Sequence, residues 1–368
     1  MAPGDKFEQE IIRIAIHRRR LQIFFIIYFL FFADHEEEQS GQRGSFRSVH
    51  SDRLRGVSLT NQFLFHGGGD RLIRDLFRMG RDTFYALANC LKRHTSLSGA
   101  LLSDPNHVSV EQRVLIFLYV TCQGHTFRDT CMDFQHSNET VSRAFHEGLK
   151  ETCAMYRQTV SIPSFEESCR TLMYDRKSWQ YFRGCLAALD GTHIPVRVPA
   201  KKQTQWRNRK GAITQNVLAA CDFSLNFRFI ASGLEGSRHD SNVLHFAIDK
   251  GLDIPRGCFF LADAGYSTRN RFVLVPYSGT RYHLKEFGGR SPVNSKEIFN
   301  MRHAKKRSAI ERTFAMFKRR LAIFNNAREQ YSVKTQANLV FTLAWVDNFM
   351  NGHHESPEDL LDGSDEEG

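Results

Sequence analysis

The sequence is poor in the features that would set it apart from an ordinary globular protein. Its eight cysteines, at 90, 122, 131, 153, 169, 185, 221 and 258, include no CxxC pair and no Cys/His spacing fit for zinc. That excludes a zinc module or a disulfide framework and reads as reduced, mostly buried thiols of an intracellular protein. No internal repeat is visible, which excludes a solenoid. No apolar run reaches the roughly 20 residues of a spanning helix; the nearest, Leu21 to Ala33, covers about thirteen. It lies between Arg18-Arg19-Arg20 and Asp34-His35-Glu36-Glu37-Glu38, and no small-residue cleavage site follows. The expectation is therefore no membrane partner. Lys and Arg are missing from the final stretch, Glu355 to Gly368, which carries seven acids and reads as a solvated, disordered tail.

What is present is a chain of 368 residues with 41% hydrophobic content, enough for a large core, and a net charge of +10. Setting the acidic tail aside leaves the remainder at about +17, a balance suited to a polyanion partner. The organisation expected is an N-terminal extension and linker over 1–60, a helical region over 61–160, an α/β domain over 161–350 and the tail over 351–368. In the helical region, Ser109 with Gln112 predicts a capping box for a helix that places Val114, Leu115, Leu118 and Tyr119 on one face. A short helix ending at Phe134 is then followed by a polar break and a longer helix with Val141, Phe145, Leu149 and Cys153 at four-residue spacing. Its opposite face carries Arg143, His146 and Lys150. This is helix-turn-helix-like, the arrangement that lays a basic helix in a major groove, and it equally fits a plain bundle with a solvated face.

The α/β part is organised around Cys185 to Val196, an apolar run that delivers one carboxylate, Asp190. An ionised Asp is rarely buried unless it is paired or holds a metal. Asp263 closes a second apolar run, Cys258 to Ala262, and Glu311 lies in a strongly helical stretch from Ser308 to Phe324, just off the stripe Ile310, Phe314, Phe317, Leu321 and Phe324. Carboxylates from two strand ends and a helix suit Mg²⁺ or Mn²⁺, hard cations that keep open positions for water and phosphate. Arg307 and Lys318 share the face of Glu311, either as a surface ion pair or to hold nucleic-acid phosphate. Lys201, Lys202, Arg207, Arg209 and Lys210 surround Trp206, a set that would clamp phosphates and stack a base, or form a solvated hairpin. Strands at 217–221 and 227–233 join the first as a meander; a helix capped by Ser241, the strand ending at Asp263, a fifth strand at 272–275 and the late helix follow. That order is the one of the ribonuclease H-like fold.

Several blocks then resemble one family. Leu189-Asp190-Gly191-Thr192-His193-Ile194, Arg207-Asn208-Arg209-Lys210-Gly211, Gly236-Ser237-Arg238-His239-Asp240-Ser241, Ala262-Asp263-Ala264-Gly265-Tyr266, Arg281-Tyr282-His283-Leu284 and Ile310-Glu311-Arg312-Thr313-Phe314 are similar, in this order, to those of the PIF/Harbinger transposases. One departure is Ala315, where the family usually has Gly. The resemblance implies a mixed-sheet ribonuclease H-like nuclease domain preceded by an all-α region. It also implies a DDE-type DNA endonuclease, or transposase-derived nuclease, that cleaves phosphodiester bonds by a two-metal mechanism. Carried over, the metal positions are Asp190, Asp240, Asp263 and Glu311; the catalytic acids are Asp190, Asp263 and Glu311, with Asp240 competing for the second-aspartate role. DNA is the implied partner, with a Myb-like protein and a homo-oligomer also compatible, and the nucleus the implied compartment. The alternative is a domesticated, non-catalytic DNA-binding or scaffold protein that keeps the fold.

Overall fold

The computed structural model describes residues 70–94 and 108–353 apart from short breaks at 174–175, 250, 267–270, 283, 288–290, 326 and 328–330. The apolar segment 21–33, the linker and nearly all of the acidic tail lie outside the described residues.

The chain begins with helices α1 (Asp70–Phe77), α2 (Arg81–His94), α3 (Val110–Gln123), α4 (Phe127–Phe134) and α5 (Asn138–Thr159). Ser109 caps α3 by accepting from the Gln112 N–H, but the reciprocal capping box is one helix later, where Thr126 and Asp129 cap each other at the start of α4. α3 departs from the one-faced helix predicted for it: every residue from Gln112 to Cys122 is buried, because α1, α2, α4 and α5 all pack around it. On α5 the predicted stripe is buried as expected, and Arg143, His146 and Lys150 are exposed. Phe145 of that stripe packs on Phe117, Phe127 and Tyr331. Truncating so central a ring to Ala costs roughly 3–5 kcal/mol.

Between the helical region and the sheet lie two short helices, α6 (Phe165–Met173) and α7 (Arg176–Phe182). Then come β1 (Cys185–Pro195), α8 (Gln203–Trp206), β2 (Thr214–Cys221), β3 (Phe227–Glu235), α9 (Asp240–Asp249), β4 (Phe259–Leu261), β5 (Val273–Leu274), α10 (Leu284–Phe287), α11 (Ser295–Arg320) and α12 (Val333–Gly352). The sheet order is β3-β2-β1-β4-β5; β1, β2 and β3 are antiparallel neighbours, and β1 pairs in parallel with β4, as β4 does with β5. A mixed five-stranded sheet with helices on both faces is thus present, in the strand order expected.

β1 is central, so both of its faces are covered: Ala188 points into the core shared with the helices, and Leu189 into the layer under α9. The hairpin from β2 to β3 turns where Asp222 accepts from the Ser224 and Asn226 N–H groups and pairs with Arg228. α12 lies between this sheet and the N-terminal helices. Its Thr342 hydroxyl donates to the Leu149 carbonyl on α5, and Asn348 brackets Phe227 on β3 with two hydrogen bonds to its backbone. One core therefore runs from Ile73 to Met350.

Two boundaries differ from expectation. α11 is much longer than the stretch Ser308 to Phe324 and ends at Arg320, with a 3₁₀ turn over Ala322–Phe324. In its early half Asn300, His303 and Arg307 are buried by partners on β5, Tyr277 and Tyr282, and Asn294 caps its start. α9 starts at Asp240 rather than after a Ser241 cap, with Asn242 and Val243 donating back to the His239 carbonyl.

A candidate acid site at the edge of β1

β1 is buried through Leu189 and opens to solvent at Asp190, so the strand hands a carboxylate from the core to the surface. α11 crosses the sheet beside it, and its register brings Arg307 and Glu311 to the same point. Arg307 Nη1 donates to Asp190 Oδ2 at 2.9 Å, Nη2 pairs with Glu311 Oε1 one turn along the helix, and Nε donates to the Tyr282 hydroxyl at 2.7 Å. Arg307 is 6% exposed, and the Glu311 side chain 54%. Asp190 Oδ1 accepts the Gly191 N–H at 2.8 Å.

Asp263 lies two residues beyond β4, accepting the Ala264 N–H, on the strand that neighbours β1. Asp240 arrives from another direction. Gly236 passes so close to Thr214 and Trp206 that a Cβ there would lie 2.4 Å from the Thr214 carbonyl oxygen, and the chain then turns into α9. Asn216, buried on β2, donates to the Arg238 carbonyl and at 3.4 Å to Asp240 Oδ1. A Cβ on Gly191 would sit 3.0 Å from that same Asp240 oxygen, so the glycine after Asp190 leaves room for a second carboxylate.

The charges are felt across the site. Burial pushes the Asp190 carboxyl up to about 6; Asp263 and Glu311 add to the rise, against Arg307 and the Gly191 N–H. Burial pushes Tyr282 up to about 12 and lowers His303, whose Nε2–H donates to the Leu274 carbonyl, to about 4. His193, hydrogen-bonded to the Thr214 hydroxyl, is held below its ordinary value by burial and by Lys318, Arg209 and Lys210, with Asp240 opposing.

Among the described residues no three Asp, Glu, His or Cys side chains converge closely enough to hold an ion. The chemistry of the site nevertheless fits a hard divalent cation. The donors are carboxylate oxygens, and the Tyr266 hydroxyl is buried with no hydrogen-bond partner among the described residues. That hydroxyl feels the negative charge of Asp240, Asp190 and Asp263, which add to burial in raising its pKa. A buried O–H without a protein partner is free to bond a water or another polar group.

The residues expected to grip nucleic acid fall in three places. Arg143 and Lys150 are exposed on α5. Lys201 and Lys202 lie on a 3₁₀ turn before α8, and Arg207, Arg209 and Lys210 on a tight loop after it that Asn208 closes by accepting from the Lys210 and Ala212 N–H groups; Arg209 donates to His239 at 2.6 Å, one residue from Asp240. Trp206 contradicts the stacking role: it is 7% exposed and packs on Val196 and Val198, because the short helix turns it inward. Lys318 bonds the Thr192 hydroxyl and the His193 carbonyl at the open end of β1. Sequence reasoning missed Tyr266, Tyr282 and Asn216. Tyr266 and Tyr282 stood in family-like blocks without a role, and Asn216 showed only as an amide beside the otherwise apolar run from Val217 to Cys221.

Comparison with known proteins bears on what this fold and acid cluster belong to. The family model for DDE superfamily endonucleases matches residues 189–348, and one for a domain of unknown function, DUF8040, matches 54–154. The first match lies over the α/β part of the chain and supports the Harbinger transposase-derived resemblance read from its motifs. It is similar to "Putative nuclease HARBI1" of Xenopus laevis, 26% identical over 267 residues that cover 70% of this chain and 73% of that one. It is also similar to the protein of the same name from Homo sapiens, 22% identical over 306 residues, 81% of this chain and 83% of that one. No solved structure matches the chain.

Proposed function

We propose that the protein is a DNA endonuclease of the ribonuclease H-like type that hydrolyses phosphodiester bonds at Asp190, Asp263 and Glu311. The observation that carries this reading is the buried Arg307 guanidinium binding Asp190 and Glu311 together, with Asp263 just beyond the neighbouring strand β4, in a chain with a DDE endonuclease domain. Mg²⁺ or Mn²⁺ bound there would lower the pKa of a water and offset the charge of the leaving oxygen, the two-metal logic of such sites. Asp190, Asp263 and Glu311 would supply the ligand oxygens, with Asp240 as a fourth held by Asn216. Lys318 and the basic loop border the same edge and would bind backbone phosphates, which set register on a duplex. Arg143 and Lys150 on the helix-turn-helix-like pair α4 and α5 would extend the grip away from the cut. The division into a helical region over 61–160 and a nuclease domain over 161–350, nuclear localisation, a Myb-like partner and homo-oligomerisation complete the reading.

The test is cleavage of labelled duplex DNA with Mg²⁺, Mn²⁺ or EDTA. Glu311→Gln, Asp190→Asn and Asp263→Asn should each lower the rate by about a thousandfold or more, the equivalent of ~4 kcal/mol of lost transition-state stabilisation. Wild-type activity in any one of them removes that residue from the set. A second reading, a DNA-binding scaffold without catalysis, is favoured by one observation: Arg307 already neutralises Asp190 and Glu311. Binding that is insensitive to EDTA, with no cutting under any metal, would select it.

A further inference from the structure

We propose that Arg307 is the resident cation of the acid site, so that Asp190 and Glu311 are released to a divalent ion only as the guanidinium lets go of them. The proposal rests on the metal-dependent reading above. Both oxygens of Asp190 are already engaged without a metal: Oδ1 takes the Gly191 N–H and Oδ2 takes Arg307 Nη1. Glu311 Oε1 is taken by Nη2 of the same group. An ion held by Asp190 and Glu311 would share these carboxylates with the guanidinium, and two positive groups on one pair of acids repel each other.

The arginine is held where it is by more than its ion pairs. Its Nε donates to Tyr282, itself 8% exposed, and the guanidinium lies 6.0 Å from the centre of that ring. A rigid fork anchored at Nε and presenting two N–H groups to two carboxylates is built for bidentate anions, and a phosphate offers the same geometry. Backbone phosphate arriving at the site would draw the fork from the carboxylates, so nucleic acid and metal should bind with positive coupling. Lys318 plays no such part, since it is tied to the hydroxyl of Thr192 and the carbonyl of His193 and touches no acid of the set.

The test is Mn²⁺ binding to the full chain, followed by electron paramagnetic resonance or calorimetry without nucleic acid. Arg307→Gln should bind Mn²⁺ about tenfold more tightly than wild type. Tyr282→Phe, which keeps charge and volume but frees Nε, should show a smaller gain. Adding duplex DNA should tighten Mn²⁺ binding to wild type and not to Arg307→Gln. Equal or weaker Mn²⁺ binding by Arg307→Gln overturns the proposal, and if that variant does not fold, Tyr282→Phe decides by the same criterion. Glu311→Gln separates the two failures. Should it bind Mn²⁺ as wild type does, the metal reading of these acids is wrong and the proposal falls with it; should it lose the ion while Arg307→Gln gains nothing, only the proposal fails. Binding by Arg307→Gln where wild type binds none is its strongest support.

Discussion

Two arginines on α11 are both buried and both paired with aspartate, yet they sit in different worlds. Arg320, 1% exposed, donates to Asp347 at 2.5 Å and to Asn351, and Asp347 is 0% exposed on α12. Thirteen residues earlier, Arg307 pairs with acids whose side chains keep 23% and 54% of their exposure. The first pair is enclosed by the core that joins the helices to the sheet, and no ion or phosphate can exchange with it. The second opens on solvent at the edge of β1. Burial of a charge is thus no mark of a site; burial of a cation against acids that solvent still reaches is.

Removing one partner of the enclosed pair should have the larger effect on stability. Asp347→Ala leaves Arg320 charged in the core and should cost about 3–5 kcal/mol in denaturant unfolding, whereas replacing both by apolar residues of similar size should be near neutral. A loss below about 1 kcal/mol for the single variant would erase the distinction between the two pairs.

Asp190→Asn should act in the opposite direction. The folded-state pKa of Asp190, near 6, lies above the ordinary value of roughly 3.9. Its contribution to stability is therefore full below about pH 4 and lost as pH rises through about 6, leaving a penalty at pH 7 of at most roughly 3 kcal/mol. In metal-free protein the asparagine variant should flatten the stability profile between pH 4 and 6 and melt no lower than wild type at pH 7. A clearly lower melting temperature at pH 7 would show that the bond to Arg307 outweighs the burial of charge, making the two pairs alike.

The smallest effect concerns the open surface around the second pair. Arg207→Ala, Arg209→Ala and Lys210→Ala combined should weaken duplex binding and flatten its salt dependence, by roughly 0.9 in the log–log slope for each phosphate no longer neutralised. An unchanged slope would leave this loop as a solvated turn.

The enclosed and open pairs were not equally legible. Asp190 stood out because an acid ended an apolar run, and Glu311 because it lay off a regular stripe; both are local signals. The pairing of Arg307 with Glu311 follows from helical spacing. Its reach to Asp190, 117 positions away, and to Tyr282 does not, since only the packing of α11 across the sheet brings them together. The same limit hid the burial of Trp206, the early half of α11 and the enclosed Arg320 pair. The strand order was readable because turn residues separate the apolar runs, even though Asp190 lies within β1 and Asp263 beyond β4 rather than at their ends. The closure of the helical layer onto the sheet by α12 depends on Thr342 and Asn348 and left no pattern in sequence.

The close approach at Gly236 has a mechanical consequence. With no side chain to hold them apart, the backbone before Asp240 rests directly on that of Trp206, and the Ser237 N–H donates to the Gln205 carbonyl. Arg209 grips His239 from the other side. The cationic loop and the start of α9 are therefore joined by direct contacts, and His239 alone stands between Arg209 and Asp240. A load on the loop would thus reach Asp240 by the shortest path the chain offers.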